Sequence, residues 1–225
     1  MPTILKAGNS SSGYSMTPGG DGALAIKTGS GAGTTALTVD GSQNTTLAGT
    51  LQVAGVTTNM YPLVQGTSQT APFTAPNTSA EFTNIPSWAK RITFTLSEVS
   101  LSGTSTYLFQ VGSGSFATTG YNSGSISVST TVASTTNGSA SNTTNGITTS
   151  SYSSTAGSTA HGHAVFTNVA GNTWVASGIL YVNSANRVAT FAGNVVLSGV
   201  LDRVRVTTTN GTDTFDAGTI NIMWE

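Results

Sequence analysis

Residues 99–186 contain no aspartate, glutamate, lysine or arginine, although they make up more than a third of the chain. Within this stretch only His161 and His163 can carry a charge near neutral pH. General acid–base catalysis, divalent-metal binding and salt-dependent nucleic-acid binding all depend on ionisable side chains. The stretch therefore predicts β-structure that presents a polar, uncharged surface, and it argues against an active site.

The composition of the whole chain excludes several classes of protein. Charged residues make up 7%, against about 25% in ordinary soluble proteins. The net charge is −1 and there is no basic block, so nucleic acid is not expected as a partner. No apolar run approaches the roughly 18 residues of a membrane helix, so no membrane insertion is expected. A near-neutral chain is poorly protected from self-association, which predicts that its apolar surfaces and strand edges are covered in an assembly.

The chain has no cysteine, and its first six residues show no hydrophobic signal region. Small secreted domains often rely on disulfides, which are not possible here. We therefore expect synthesis and folding in a cytoplasm without an export signal. The Ser/Thr-rich surface is nevertheless typical of extracellular adhesive proteins, and a virion component that is released by lysis satisfies both observations.

Apolar and polar residues alternate in several segments. Ile92, Phe94 and Leu96 fall on one side of residues 91–97, and hydroxyls fall on the other. A period of two is typical of half-buried strands. Residues 185–204 match helical spacing at several positions, but their glycines and valines favour a strand. The same alternation recurs in residues 107–111, 125–129, 203–206 and 219–224.

Turn signals separate these segments. Asn-Gly pairs at positions 137–138, 145–146 and 210–211 are typical of tight hairpins, which need positive φ angles. Short strands at such spacing predict an all-β fold with an antiparallel, jelly-roll-like sandwich. Residues 129–160 are nearly all Ser, Thr, Asn, Gly and Ala. They fit either exposed loops or a weak edge hairpin, and we favour exposed loops.

The first sixty residues have a different pattern. Short strands are predicted at residues 23–27, 36–41 and 46–53, between Gly-rich turns. Strands of this length bury too little apolar surface to fold alone, so we expect copies from several chains to wrap into an intertwined homotrimer. Prolines within residues 62–76 indicate a linker. The predicted domains are therefore a shaft or anchor at residues 1–62 and a β-sandwich at residues 63–225.

Several motifs resemble those of bacteriophage tail-fibre proteins. The motifs GALAIK, TALTVDG and TLAGTL resemble a repetitive fibre shaft, at residues 22–27, 35–41 and 46–51. NIPSWAKRITF at residues 84–94 resembles the opening of a C-terminal domain of this family. Two further motifs resemble the ending of the same domain, LDRVRV at residues 201–206 and NGTDTFDAGTINI at residues 210–222. The similarity brackets residues 78–225, and its two ends are more specific than the Ser/Thr-rich middle.

The resemblance implies a homotrimeric virion fibre whose distal domain touches the bacterial host and which carries no catalytic residue. We therefore predict non-enzymatic binding to a host-surface glycan, without a cofactor, and assembly with other virion proteins. The chain is short for a tail fibre. The alternative is a capsid decoration or head-fibre protein that docks on the phage head through residues 1–62. A glycan depolymerase would need the paired carboxylates that the middle segment lacks.

Host contact is predicted in residues 113–160, with Tyr121, Asn122 and Tyr152 as candidates. The two tyrosines lie in Ser/Gly-rich segments, where an exposed ring can stack on a sugar and a buried ring would simply pack. His161 and His163 fall on one side of a strand, and the resemblance to phage fibre tips suggests that a threefold axis could bring six such nitrogens together as a metal site. We favour ordinary exposed polar residues at these two positions.

The remaining polar and aromatic candidates are assigned structural roles. For Asp213 and Asp216 an Asx-turn or strand-pairing role is favoured over calcium binding, because the ligand spacing of a calcium loop is absent. Arg203 and Arg205 are expected to form salt bridges with Asp202 or Asp216. The three tryptophans lie in apolar alternation, and most of them are assigned to the core, at positions 88, 174 and 224.

Overall fold

The computed structural model describes residues 24–28, 34–39, 42, 45–47, 51–53, 56–58, 63–73, 77–129, 139–149, 155–183 and 186–225. The chain divides into two compact units, Met1–Met60 and Tyr61–Glu225. The boundary predicted from the sequence, between residues 62 and 63, lies two residues closer to the C-terminus. All secondary structure in the described residues is β-strand and every pairing is antiparallel, which confirms the all-β class.

The first unit contains a three-stranded sheet and a separate hairpin. The hairpin strands are β4 and β5, and β5 was not expected from the sequence. The other strands lie close to their predicted positions. Their bounds are β1 (Leu24–Thr28), β2 (Thr34–Val39), β3 (Thr45–Leu47), β4 (Leu51–Val53) and β5 (Val56–Thr58).

The second unit contains two larger sheets. One has the order β11-β10-β18-β8, with β14 also paired to β10. The other has the order β13-β12-β17-β16-β15-β9-β19-β6, with β7 also paired to β19. The strands are β6 (Val64–Gln65), β7 (Gln69–Thr70), β8 (Ser79–Thr83), β9 (Arg91–Leu101), β10 (Tyr107–Ser113), β11 (Ser115–Phe116), β12 (Asn122–Ser129), β13 (Ser139–Thr143), β14 (Ile147–Thr148), β15 (Ala160–Ala170), β16 (Thr173–Val182), β17 (Arg187–Val196), β18 (Arg203–Thr208) and β19 (Phe215–Trp224).

A single hydrophobic core joins the inner faces of these two sheets. The Phe94 ring of the nine-stranded sheet meets Phe109 of the five-stranded sheet edge-on, with centroids 5.3 Å apart. Phe109 also stacks on Phe191 at 5.5 Å. Each such buried ring contributes about 1.5–3 kcal/mol. The packing is sandwich-like, and the predicted alternation of Ile92, Phe94 and Leu96 is confirmed because all three are buried.

In β12 the apolar side chains face solvent and the serines face the core, which is the reverse of the arrangement in β9. Ile126 and Val128 are 48% and 56% exposed, whereas Ser125 and Ser127 are buried. The strand itself was predicted from this alternation, but the face that turns inward is set by pairing with β17. A period of two predicts two faces without saying which of them meets the core.

The expectation of exposed loops throughout residues 129–160 is wrong. β13 pairs with β12 as an edge hairpin, which is the alternative interpretation of this segment. β14 pairs with β10, and its Ile147 is fully buried. Ile147 returns the chain to the core at this point, and burying an isoleucine stabilises the fold by about 1.5–3 kcal/mol.

The described part of the predicted linker is docked on the sheet. β6 and β7 pair with β19. The Phe73 ring packs against Phe215, with centroids 5.1 Å apart. The linker assignment of residues 65–73 is therefore wrong. The strand predicted in residues 185–204 is confirmed only in part: β17 spans Arg187–Val196, and residues 197–202 connect it to β18. Trp174 is in the core, and Trp88 and Trp224 pack against it.

Candidate functional site

Tyr121 is not available for surface contact. It is only 2% exposed, because it packs in the core just before β12. Its hydroxyl accepts a hydrogen bond from the Val111 N–H at 2.9 Å and donates one to the Val111 carbonyl at 3.2 Å. Burial raises the pKa of Tyr121 to about 12. The predicted sugar-stacking role of Tyr121 is therefore wrong, and the packing alternative is confirmed.

Asn122 lies next to Tyr121 in the chain and is exposed. It is the first residue of β12 and lines a shallow polar cleft. The third predicted contact residue, Tyr152, lies outside the described residues. The polar cleft is open to solvent and has a volume of about 490 Å³. Its lining residues are Asn122, Ser123, Gly124, Thr143, Thr144 and Asn145.

Hydrogen bonds hold the loop that forms the far side of this polar cleft. The hydroxyls of Ser123 and Thr143 both donate to the Gly146 carbonyl, at 2.9 Å and 2.7 Å. The Asn145 carbonyl accepts a bond of 2.6 Å from the Gln110 side-chain amide. The side chains of Thr144 and Asn145 remain exposed beside Asn122. The backbone is thus fixed, while amide and hydroxyl groups face solvent.

Gly146 keeps this loop close to the core. A Cβ at this position would lie 2.6 Å from a methyl carbon of Leu108 and 3.0 Å from the Phe109 carbonyl oxygen. Its φ is not in the left-handed region, so the Asn145–Gly146 pair does not supply the positive φ that was predicted. Gly211 does, at φ 70°. At Gly146 glycine is needed for space, and at Gly211 for backbone conformation.

The chemistry of the polar cleft is limited to neutral hydrogen bonding. Its lining includes no titratable residue. Side-chain amides and hydroxyls both donate and accept hydrogen bonds, so the polar cleft complements a ligand that carries many hydroxyl groups. No side chain in the lining could act as a general acid or a general base near neutral pH.

His161 and His163 lie on the same side of β15, opposite Tyr181 and Ile179 of β16. The sheet brings a carboxylate to this point, which the sequence did not suggest. Nε2 of His161 lies 3.6 Å from Oε1 of Glu98, at an exposed position. Glu98 has a φ of 56°, an uncommon backbone conformation for a glutamate, in an irregularity between β9 and β15. No group of three or more metal-ligating side chains occurs among the described residues.

The acidic residues near the C-terminus have structural partners. Asp213 accepts a bond of 2.8 Å from the Ser105 N–H, and Ser100 donates to Asp216. The Asx turn in this region belongs to Asn210, whose side-chain oxygen accepts from the N–H groups of Thr212 and Asp213. Both aspartates therefore have structural contacts, but the Asx turn that was predicted for them belongs to Asn210.

The two arginines of β18 form salt bridges, as predicted, although one partner differs. Arg203 binds Asp202 at 2.8 Å and holds the pKa of that carboxyl below its usual range. Arg205 binds Glu81 of β8 at 3.1 Å, so neither arginine uses Asp216. The Arg205 guanidinium also lies 4.3 Å from the centre of the Phe116 ring.

An exposed apolar surface on the nine-stranded sheet was not predicted. We call it the outer face and define it as the side of β12, β17, β16 and β15 that is turned away from the core. Its exposed apolar side chains include Ile126, Val128, Ile179 and Tyr181. The alternating sequence predicts that each strand has an apolar side, but it does not predict whether that side faces the core or solvent.

The described residues include no helix with the length and apolar character that crossing a membrane requires. A scan against models of protein families, a search of curated proteins and a search of solved structures each found no match to this chain.

Proposed function

We propose that this chain is a phage virion fibre protein that binds a glycan of the bacterial surface without catalysis. The observation that carries the proposal is the polar cleft, in which only amides, hydroxyls and backbone surround the space. Neutral sugars present many hydroxyls, so neutral donors and acceptors on a fixed backbone suit them. Each contact is weak, and several copies on one particle would raise the overall avidity.

The proposal includes an intertwined homotrimer in which residues 1–62 form a shaft or virion anchor and residues 63–225 form a jelly-roll-like knob. Support comes from the first unit, whose strands β3, β4 and β5 are three residues long. Such strands are marginal in isolation and gain stability from further strands or chains.

The non-enzymatic part of the proposal is supported by the contacts of the carboxylates. Glu81 and Asp202 are bound to arginines, and Asp213 and Asp216 accept hydrogen bonds from the chain itself. Glycoside hydrolysis needs two carboxyl groups that face one substrate, about 5–10 Å apart. The polar cleft contains none.

Two substitutions in the polar cleft test the proposal. In the Asn122→Ala, Asn145→Ala double variant we expect adsorption to host cells to fall at least about tenfold, because two amide contacts of about 1 kcal/mol each are lost per site. Thr83→Ala, at an exposed position of β8, is the matched control and should adsorb normally. Adsorption is measured with purified full-length protein.

Unchanged adsorption of the double variant would contradict glycan binding in the polar cleft. It would favour the capsid decoration alternative, in which residues 1–62 dock on the head and the second unit only projects. Labelled antibody and electron microscopy of intact particles would then show the protein on the head and not at the tail.

A further inference from the structure

The outer face carries continuous rows of side chains across four strands. Strand pairing places His161 opposite Tyr181, Tyr181 opposite Val188, and Val188 opposite Val128. Side chains that are directly opposite on one face lie about 4.5–5.5 Å apart. The exposed fractions of Ile179 and Tyr181 are 40% and 37%. A second row parallel to the first runs His163, Ile179, Thr190 and Ile126.

The orientation of β12 is unfavourable for a single copy. Its two most apolar side chains, Ile126 and Val128, face solvent, while Ser125 and Ser127 face inward. The Ser125 hydroxyl is buried without a hydrogen-bond partner. A strand flipped by one residue would bury the apolar pair instead. Burying serines while exposing branched aliphatic residues is reasonable if the outer face is itself covered.

The chemistry of the outer face selects a protein partner over a sugar. Its exposed apolar residues are mostly aliphatic, at positions 126, 128, 175 and 179, and Tyr181 is its one exposed tyrosine among the described residues. Sugars stack on aromatic rings, whereas aliphatic side chains pack against other aliphatic side chains.

The lack of charged residues on the outer face indicates which protein covers it. None of the outer-face positions in the two rows is Asp, Glu, Lys or Arg. A typical protein surface carries many charges, and covering them with this face would leave them buried without partners. The same face of a second copy carries no Asp, Glu, Lys or Arg in these rows, and the nearby Glu98 carboxylate, on the neighbouring strand β9, lies beside His161. A second copy is therefore the partner whose electrostatics match.

The size of the outer face is also adequate. Four strands spaced about 4.8 Å apart and about 10 residues long, at roughly 3.3 Å per residue, cover roughly 600 Å². Two copies would bury about 1,200 Å², at the lower end of stable protein interfaces. Asn122 and the polar cleft lie at the end of β12, at the rim of this area.

We propose that the outer face packs against a second copy of this chain. The inference rests on the homotrimer in the proposed function, whose threefold axis would turn the outer faces of the three copies toward one another, and it adds the surface that the second unit contributes. Contacts between copies are thus made by β12, β15, β16 and β17 as well as by the first unit. The expected interface is apolar at Ile126, Val128 and Ile179.

The absence of cysteine permits a direct test on the full chain. Ile179→Cys places one thiol on the outer face, and Thr83→Cys places one on the exposed side of β8 as the control. We expect maleimide to label the folded Ile179→Cys protein at least about tenfold more slowly than Thr83→Cys, and both equally after denaturation. If the folded protein has the mass of an oligomer and both cysteines are labelled at equal rates, the inference about the outer face is overturned. The proposed function would not be affected by that result.

A charge in the interface provides a second test. Val128→Lys should raise the dissociation constant of the oligomer at least about tenfold, measured by sedimentation, because the ammonium would be buried without a partner. Val200→Lys, at a loop position that is 56% exposed, is the control and should assemble normally. Identical dissociation of the two variants would overturn the inference, and so would a monomeric mass for the unmodified protein. Adsorption to host cells separately tests the function, since it depends on the polar cleft.

Discussion

At the scale of single residues, backbone contacts explain why similar side chains have different roles. Tyr121 and Asn122 are neighbours in a Ser/Gly-rich segment, yet one is buried and the other exposed. The Tyr121 hydroxyl both accepts from and donates to Val111 in the adjacent sheet. Tyr121 therefore positions the start of β12, and with it one wall of the polar cleft.

The buried Tyr121 phenol should make the fold sensitive to alkali. Its pKa is raised by burial to about 12 in the folded protein, against about 10 when unfolded. The contribution to stability is therefore complete below pH of about 10 and is lost as the pH rises through about 12, by about 2–3 kcal/mol. Urea unfolding from pH 9 to pH 12 measures this loss.

Tyr121→Phe is the comparison for the alkaline titration. The phenylalanine cannot ionise, so the free energy of unfolding of the Tyr121→Phe variant should fall less steeply over the same pH range. Burial also raises the pKa of Tyr107, but that residue is present in both proteins and does not affect the difference. Parallel pH profiles for the two proteins would contradict the assignment.

At the scale of elements, the short strand β14 connects the polar segment to the core. Thr148 and Ile147 pair with Leu108 and Phe109 of β10. Ile147 is fully buried, whereas Thr144, three residues earlier, is exposed at the polar cleft. One short strand thus holds the loop of the polar cleft against the sandwich-like core.

Shortening Ile147 tests this arrangement. Ile147→Ala should lower the free energy of unfolding by about 2–4 kcal/mol, because it removes buried methyl groups and leaves a cavity. Thr144→Ala, in the exposed part of the same loop, should change it by less than about 0.5 kcal/mol. Chemical denaturation of both variants measures the difference, and equal stabilities would show that β14 does not anchor the loop.

At the scale of the whole molecule, the scarcity of charge sets how the protein meets its partners. The chain has 7 basic and 8 acidic residues, and the polar cleft has none of them. Long-range electrostatic attraction therefore contributes little to association, and binding depends on contact.

Adsorption should accordingly be almost independent of salt. Between about 0.01 M and about 0.15 M salt the screening length falls from about 30 Å to about 8 Å. We expect the apparent dissociation constant for host cells to change less than about twofold over this range. Adsorption that weakens steeply with salt would place the contact on the charged side of the five-stranded sheet, near Arg203 and Arg205.

Local sequence determined the secondary structure and the neutral chemistry of this protein. Alternation around Ile92 and Phe94 predicts β9, because a period of two is a property of the strand itself. The absence of charge from residues 99–186 is a property of composition and needs no fold. Asn122 is exposed, as a contact residue must be, and its role in binding stays a prediction.

Tertiary structure alone decided which side of each strand meets the core. The outward direction of Ile126, the burial of Tyr121 and the return of Ile147 to β10 all depend on pairings between strands distant in sequence. The contact of His161 with Glu98 spans two strands in the same way. Alternation leaves two faces equivalent until a partner strand sets the register, so only the assembled sheets could show the polar cleft and the outer face.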